Sequence, residues 1–140
     1  MEISVIGKDQ VDSVWLMIKD YAQGAADYTY GRFTANDIRT GLKTKNQHLW
    51  IAHEDEKALG FVVTQISDYP QMRALIMHFT GGEDLPKWKE QMLEELQNYA
   101  YNNGCDIIES MGRKGWGRVF KEDGFEERFM FYELPVRGEV

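Results

Sequence analysis

The sequence predicts one α/β domain with a mixed, twisted sheet and helices on both faces. Three neighbouring strand-like runs are separated by short polar turns, which is typical of an antiparallel meander. A later strand, long helix and strand predict a right-handed parallel crossover. No repeat or linker interrupts the 140 residues, so the domain is expected to span residues 1–140. A chain of this length, 43% hydrophobic, can bury one substantial core.

The first half contains one short strand and two helices before the meander. Residues 2–6 form the strand candidate, and apolar residues from Val11 to Ala22 then recur at helical spacing until Gly24. Thr34-Ala-Asn-Asp37 is a capping-box pattern with Asp in place of the usual Glu, and it predicts a second helix that ends near Lys45. The three strands of the meander are expected at residues 49–53, 59–66 and 73–79.

The second half is built around a long helix. Gly81 and Gly82 end the meander, Asp84 is expected to cap the helix, and Pro86 lies in its first turn. The helix is expected to bury Trp88 among its apolar residues and to stop at residues 102–104. A strand at 106–110, a short helix at 116–124 and a last extended stretch at 125–136 complete the order β-α-α-β-β-β-α-β-α-β.

Composition narrows the classes of function. The net charge of −7 argues against nucleic acid as a partner, because phosphate contacts need Lys and Arg; it suits solubility or a basic partner. With Cys105 alone, and with His48 and His53 lacking partners at metal-ligand spacing, neither a disulfide nor a metal site is expected. The chain has no apolar run of membrane-spanning length and no signal-peptide pattern, so a cytoplasmic location without membrane association is expected.

Two segments carry a family resemblance. One is the strand and glycine turn Ala74-Leu-Ile-Met-His-Phe-Thr-Gly-Gly82 with the helix that follows, and the other is Arg118-Val-Phe-Lys-Glu-Asp-Gly-Phe125. Together with the element order, they resemble the GNAT superfamily of N-acetyltransferases over nearly the whole chain. The overall likeness extends to small phage-encoded members, which would place the protein in the host cytoplasm.

The resemblance implies acetyl-CoA as cofactor and acetyl transfer to an amine. In the family the cofactor lies in the gap beside the strand that precedes the long helix, and backbone N–H groups of the glycine turn bind its pyrophosphate. The basic loop before the last helix is a second candidate contact, for an adenosine phosphate, although it equally fits a solvated loop. The implied cofactor-binding residues are Phe79, Thr80, Gly81, Gly82, Arg113 and Trp116.

Two departures from the family pattern weaken the catalytic interpretation. No basic or amide residue precedes the glycines, and Glu83 and Asp84 follow them. One like-charge contact at ~4 Å costs on the order of 4 kcal/mol at an effective dielectric of about 20, so these carboxylates favour helix capping over pyrophosphate binding. The family often has a proton-donating tyrosine where this chain has Phe120.

His78 and Glu109 are the candidate catalytic residues. His78 is expected to line the cleft with Ile76 and Ala74, while Met77 and Phe79 both point to the opposite face. The His78 ring can act as a general base or as a structural hydrogen-bonding group. Glu109 lies in an otherwise apolar strand, where a carboxylate is either exposed at the end of the sheet or placed for function. The aromatic segment 28–33 fits an acceptor-site wall, a protein interface or a packed loop.

Two functions of different class follow. The first is a divergent, acyl-CoA-dependent N-acetyltransferase-like protein whose activity is weak or lost. The second is a non-catalytic GNAT-fold binding or structural protein, such as a phage structural or host-directed factor. Both are compatible with a homo-oligomer, and the fold alone does not separate them.

Overall fold

The computed structural model describes residues 1–112 and 116–138. Within them the helices and strands follow the predicted order up to the last helix. The strands are β1 Glu2–Ile6, β2 His48–Glu54, β3 Lys57–Asp68, β4 Arg73–Gly82 and β5 Ile107–Ser110. The helices are α1 Val11–Ala26, which follows a 3₁₀ turn at Lys8–Gln10, then α2 Ala35–Thr44, α3 Leu85–Asn102 and α4 Trp116–Lys121.

The five strands form one mixed sheet in the order β1-β2-β3-β4-β5. The first four strands pair antiparallel with their neighbours, and β4 pairs with β5 in parallel. The predicted meander and the predicted parallel pair around Ile76 and Ile108 are therefore confirmed. The helix α3 makes the crossover that a parallel pair requires.

Each face of the sheet carries its own hydrophobic core. On one face, here called the α1 face, residues of α1 and α2 such as Ile18 and Leu42 pack on Phe61 of β3. On the opposite face, here called the α3 face, Trp88 and Met92 pack on Val62. Trp88 is only 1% exposed, as the spacing along the helix predicts. Helices on both faces are thus confirmed.

The predicted capping box starts α2. The backbone N–H of Asp37 donates to the Thr34 hydroxyl at 3.1 Å, and the N–H of Thr34 donates to the Asp37 carboxylate at 2.8 Å. The bond from the Thr34 backbone, and after it the Thr34 side chain, lower the pKa of the Asp37 carboxyl group. The shorter Asp side chain therefore makes the same reciprocal pair as the usual Glu.

A β-bulge interrupts β4 at His78. Val63 of β3 pairs with Phe79, but the next residue, Thr64, pairs with Met77, so His78 is an extra residue in the ladder. As a result Phe79 lies in the core of the α1 face and Met77 in the core of the α3 face. The prediction that both point the same way is wrong, because strict alternation does not survive an inserted residue.

The predicted final strand is also wrong. Residues 126–138, here called the tail, form neither strand nor helix and pair with no strand of the sheet among the described residues. The run Phe129-Met-Phe-Tyr132 has no polar and apolar alternation to fix a register, and Pro135 has no N–H to donate. Strand-like composition here does not produce a strand.

A pair of glycine substitutions tests the packing of the α3 face. A Cβ added to Gly60 would lie 2.2 Å from Cζ2 of Trp88, whereas a Cβ on Gly24, inside α1, meets nothing within 4 Å. We expect Gly60→Ala to lower the free energy of unfolding by about 1–3 kcal/mol or more through overpacking. Gly24→Ala should raise it by about 0.5–1 kcal/mol, because alanine favours a helix. Urea unfolding checks both, and equal effects would contradict the packing described here.

Candidate functional site

The site lies where β4 runs beyond β5. The two strands pair only from Ala74 to Met77 on β4, opposite Ile107 to Ser110 on β5. The strand β4 continues to Gly82, and within the described residues its positions 78–82 have no strand partner on the β5 side. The bulge at His78 marks the point where the two strands part. Residues 78–82 of β4 therefore have, within the described part of the chain, a backbone edge without a strand neighbour. The space beside this edge, on the β5 side, is here called the gap.

His78 stands at the start of this gap. Its Nε2 lies 2.9 Å from Oε1 of Gln65. Because an amide oxygen only accepts, Nε2 is the donor in this arrangement and Nδ1 is the basic nitrogen. Desolvation of the ring and the nearby Lys45 lower the pKa of His78, and Glu109 acts weakly in the opposite direction. The imidazole is therefore neutral near pH 7 and able to accept a proton.

Glu109 lies on the same face of the sheet as His78. In the register, Glu109 pairs with Ile76, which pairs with Gln65 on β3, so the three side chains form a row across the α1 face. The hydroxyl of Tyr69 donates to Oε1 of Glu109 at 2.5 Å, and this bond raises the pKa of Tyr69. The structure thus brings the two predicted catalytic residues to one face, with Gln65 and Tyr69 as their partners.

The other side of the gap is formed by Phe79 and Thr80, which point to opposite faces. Phe79 is held by Phe33 in an edge-to-face contact with ring centroids 5.0 Å apart. Thr80 lies on the α3 face with Val62 and Met77. Phe33, in the segment between α1 and α2, therefore forms a wall on the α1 face beside the gap, and the acceptor-site interpretation of residues 28–33 stays a prediction.

The two glycines of the turn are required by packing. A Cβ on Gly81 would lie 2.8 Å from the backbone oxygen of Tyr21 in α1. Gly82 has a φ of +144°, and a Cβ there would lie 2.4 Å from the oxygen of Leu59. Contacts with the helix and the neighbouring strand thus explain both glycines without any ligand.

Some backbone N–H groups of the turn are already used within the fold. The N–H of Glu83 donates to the Leu59 oxygen at 2.8 Å, Pro86 has no N–H, and the N–H of Lys87 donates to the Asp84 oxygen at 2.8 Å. Asp84 precedes the helix with φ 51° and ψ 45°, and its side chain makes no capping bond. The predicted cap is therefore wrong, because a capping side chain needs an extended backbone at that residue.

Glu83 is engaged by a lysine that the sequence analysis did not single out. Nζ of Lys57 lies 2.6 Å from Oε1 of Glu83. This pair lowers the pKa of Glu83 and raises that of Lys57. Desolvation, with the nearby Glu83 second, raises the pKa of Tyr21. The Glu83 charge is thus compensated locally, so the predicted repulsion of an anion rests mainly on Asp84.

The space behind the gap on the α3 face is filled. Val62, Met77, Trp88 and Phe120 surround a cavity of only about 10 Å³, roughly the volume one water needs. Phe120 is 6% exposed and packs against Phe125 with ring centroids 5.2 Å apart. Among the described residues, the space between these four side chains admits about one water molecule.

Lys89 of α3 links α3 to α4 beside this space. Its ammonium group donates to the Val119 oxygen at 2.9 Å and to Glu122 at 2.7 Å, and it lies 2.8 Å from Asp123. Although burial acts against it, these partners raise the pKa of Lys89. A lysine one residue after Trp88, on the apolar side of α3, is the sequence signal that could have revealed this clamp.

The described residues therefore fit acetyl-CoA only in part. Two N–H groups of the turn are used within the fold, and the space between Val62, Met77 and Phe120 admits about one water molecule. Of the two remaining predicted contacts, Arg113 lies outside the described residues, and Trp116 begins α4 while its side chain is not described. The open edge of β4 at positions 78–82 is the part of the arrangement that does match the implied site.

Solved acetyltransferases share this fold. A probable acetyltransferase is 17% identical, with a TM-score of 0.72 over 99% of this chain and 100% of its own. A ribosomal-protein-alanine N-acetyltransferase from Brucella melitensis biovar Abortus 2308 is 12% identical, with a TM-score of 0.72 over 97% of this chain and 100% of its own. Aminoglycoside N-acetyltransferase AAC(6')-Iy, solved in complex with CoA, is 20% identical, with a TM-score of 0.67 over 96% of this chain and 95% of its own.

These likenesses define a GNAT N-acetyltransferase-like fold, at identities that speak for the fold alone. No family model and no curated protein sequence matches the chain. Among the described residues, no helix is long and apolar enough to cross a membrane. In the same part of the chain, no three His, Cys, Asp or Glu side chains are grouped as metal ligands would be.

The two histidines with lowered pKa values predict how stability depends on pH. Desolvation, with Lys8 second, lowers the pKa of His48, and His78 is shifted in the same direction. As the pH falls through about 6.5, the unfolded chain binds protons that the folded chain does not, so the free energy of unfolding falls. We expect urea midpoints to drop from pH 7 to pH 5, and to drop less in the variant His48→Gln/His78→Gln. An identical pH profile in that variant would contradict this assignment.

Proposed function

We propose that the protein is a divergent GNAT-type N-acetyltransferase-like protein with low affinity for acetyl-CoA and slow transfer to an amine. The open edge of β4 beside His78 is the observation that carries this proposal. An edge without a strand neighbour among the described residues, next to a bulge, suits an extended ligand with amide groups of its own. The committed amides of the turn and the filled cleft account for the low affinity.

In this proposal the acceptor amine is deprotonated on the α1 face. Glu109 accepts the proton, and Tyr69 holds its carboxylate in place. Nδ1 of His78 is the alternative acceptor, since Nε2 is engaged with Gln65. The net charge of −7 favours the approach of a cationic amine.

A second function is favoured by the closed cleft. If Lys89 and Phe120 keep the α3 face filled, the fold serves as a binding or structural scaffold without catalysis. The resemblance to small phage-encoded members extends this alternative to a phage structural or host-directed factor that acts in the host cytoplasm. The packing of α4 onto α3 and the exposed aromatic side chains of the protein support this second function.

Calorimetry with acetyl-CoA on the full chain tests the binding step. We expect a dissociation constant near millimolar, and about tenfold tighter binding for the variant Glu83→Gln/Asp84→Asn at low salt. Removing these carboxylates takes negative charge from the turn and releases Lys57, and both effects are screened by salt. The matched control is Glu90→Gln/Glu94→Gln, which changes the net charge equally but lies further along α3. Equal tightening in the control would show that only the net charge matters.

Release of free thiol from acetyl-CoA, with a polyamine as acceptor, tests the chemistry. We expect slow turnover that Glu109→Gln lowers by about 10²-fold, because the variant removes the positioned proton acceptor. Glu94→Gln, an exposed carboxylate on α3, should leave the rate unchanged. If the wild type neither binds acetyl-CoA at millimolar concentration nor turns it over, the enzyme proposal fails and the scaffold proposal stands.

A further inference from the structure

The tail exposes an unusual amount of apolar surface. Six of its large side chains are between 60% and 97% exposed. They are Phe129, Met130, Phe131, Tyr132, Leu134 and Val136. The three aromatic side chains among them carry ~150–250 Å² each, and with the three smaller apolar side chains the six together offer on the order of 800 Å² to solvent. The largest apolar patch on a typical monomer is about 300–600 Å², so this surface exceeds what a monomer normally leaves uncovered.

The tail is tied to the body of the protein by Arg32. Nη2 of Arg32 lies 2.6 Å from Oε2 of Glu133, and the guanidinium stands 4.9 Å above the ring of Phe131. Arg32 belongs to the segment between α1 and α2, where Tyr28 and Tyr30 are also exposed. The tail and this segment therefore form one surface, here called the aromatic surface, which consists of residues 28–33 and 126–138.

The charge of the tail with Arg32 differs from that of the whole protein. Glu126, Glu127 and Glu133 are balanced by Arg32, Arg128 and Arg137, so this group has no net charge. The chain as a whole carries −7. Two copies that approach through any strongly acidic face repel one another, but this neutral region lets them meet. A strongly basic partner or nucleic acid would find no excess of opposite charge here.

We propose that the aromatic surface is a two-fold interface with a second copy of this chain. The apolar area that each copy offers matches the about 800 Å² per partner of a standard interface. In a two-fold arrangement the same patch contacts itself, so it must be self-complementary. The aromatic surface meets this condition, because it has an apolar centre and no net charge, so two copies of it do not repel one another. Aromatic and arginine side chains are also the residues that interface centres favour.

Sedimentation of the full chain, without acetyl-CoA, tests the interface. We expect a species of twice the 16.3 kDa chain mass at tens of micromolar protein and physiological salt. Phe129→Asp, Tyr132→Asp and Leu134→Asp should each weaken the dimer at least tenfold, because each places an unpaired charge in the apolar centre. All three side chains are at least 83% exposed, so the fold of the monomer should be unaffected by the substitutions.

Leu16→Asp is the matched control. Leu16 is 85% exposed on α1, outside the aromatic surface, and the substitution makes the same change in charge and polarity. It should leave the dimer intact. A wild-type chain that stays at 16.3 kDa up to about 100 µM overturns the proposal, as does a dimer that the three tail variants leave unchanged or that Leu16→Asp weakens equally. Urea unfolding of each variant confirms that the monomer is folded.

Discussion

The packing of Trp88 against Gly60 of β3 and Gly82 of β4 is the contact on which the rest of the structure depends. Its ring occupies the place where a side chain on Gly60 would lie, and a Cβ on Gly82 would come within 3.1 Å of it. Its indole N–H donates to the Glu83 oxygen at 2.8 Å. One residue of α3 therefore fixes the height of the helix above the sheet and the path of the turn that leads into it. The backbone of this turn is therefore fixed by the packing of the α3 face, with the N–H of Glu83 bound to the Leu59 oxygen, and this limits what the turn offers a diphosphate.

The bulge at His78 divides β4 into two parts that differ in their pairing with β5 and in the faces their side chains occupy. Before it, Leu75 and Met77 belong to a regular sheet that continues into β5. After it, Phe79 turns to the α1 face and the β5 side of the strand stays open. The inserted residue His78 thus moves the next side chain, Phe79, to the α1 face, and the pairing with β5 ends at the same place.

The sequence predicted the fold well, since periodicity, capping and turn composition act locally. The capping box at Thr34 and the buried face of α3 were both foreseeable from spacing. The sequence did not reveal the bulge, because an extra residue in a strand leaves no pattern in an apolar run. It also placed Asp84 as a cap when only its backbone conformation decides that role. For the site, His78 and Glu109 could be named as candidates, but their partners Gln65 and Tyr69 come from β3 and from the turn after it, and register alone brings them together.

The segment between α1 and α2 connects the two surfaces of interest. Phe33 packs edge-to-face on Phe79 beside the gap, while its neighbour Arg32 holds the tail through Glu133 and Phe131. An interaction that orders the tail therefore also orders the wall of the α1 face, because the two contacts belong to adjacent residues of one short segment. If the protein assembles through the aromatic surface and binds an acceptor on the α1 face, as proposed, the two events are coupled in free energy, and by reciprocity an acceptor that stabilises Phe33 in this position also favours association. A chain that had lost the chemistry would then keep this wall for as long as it used the aromatic surface.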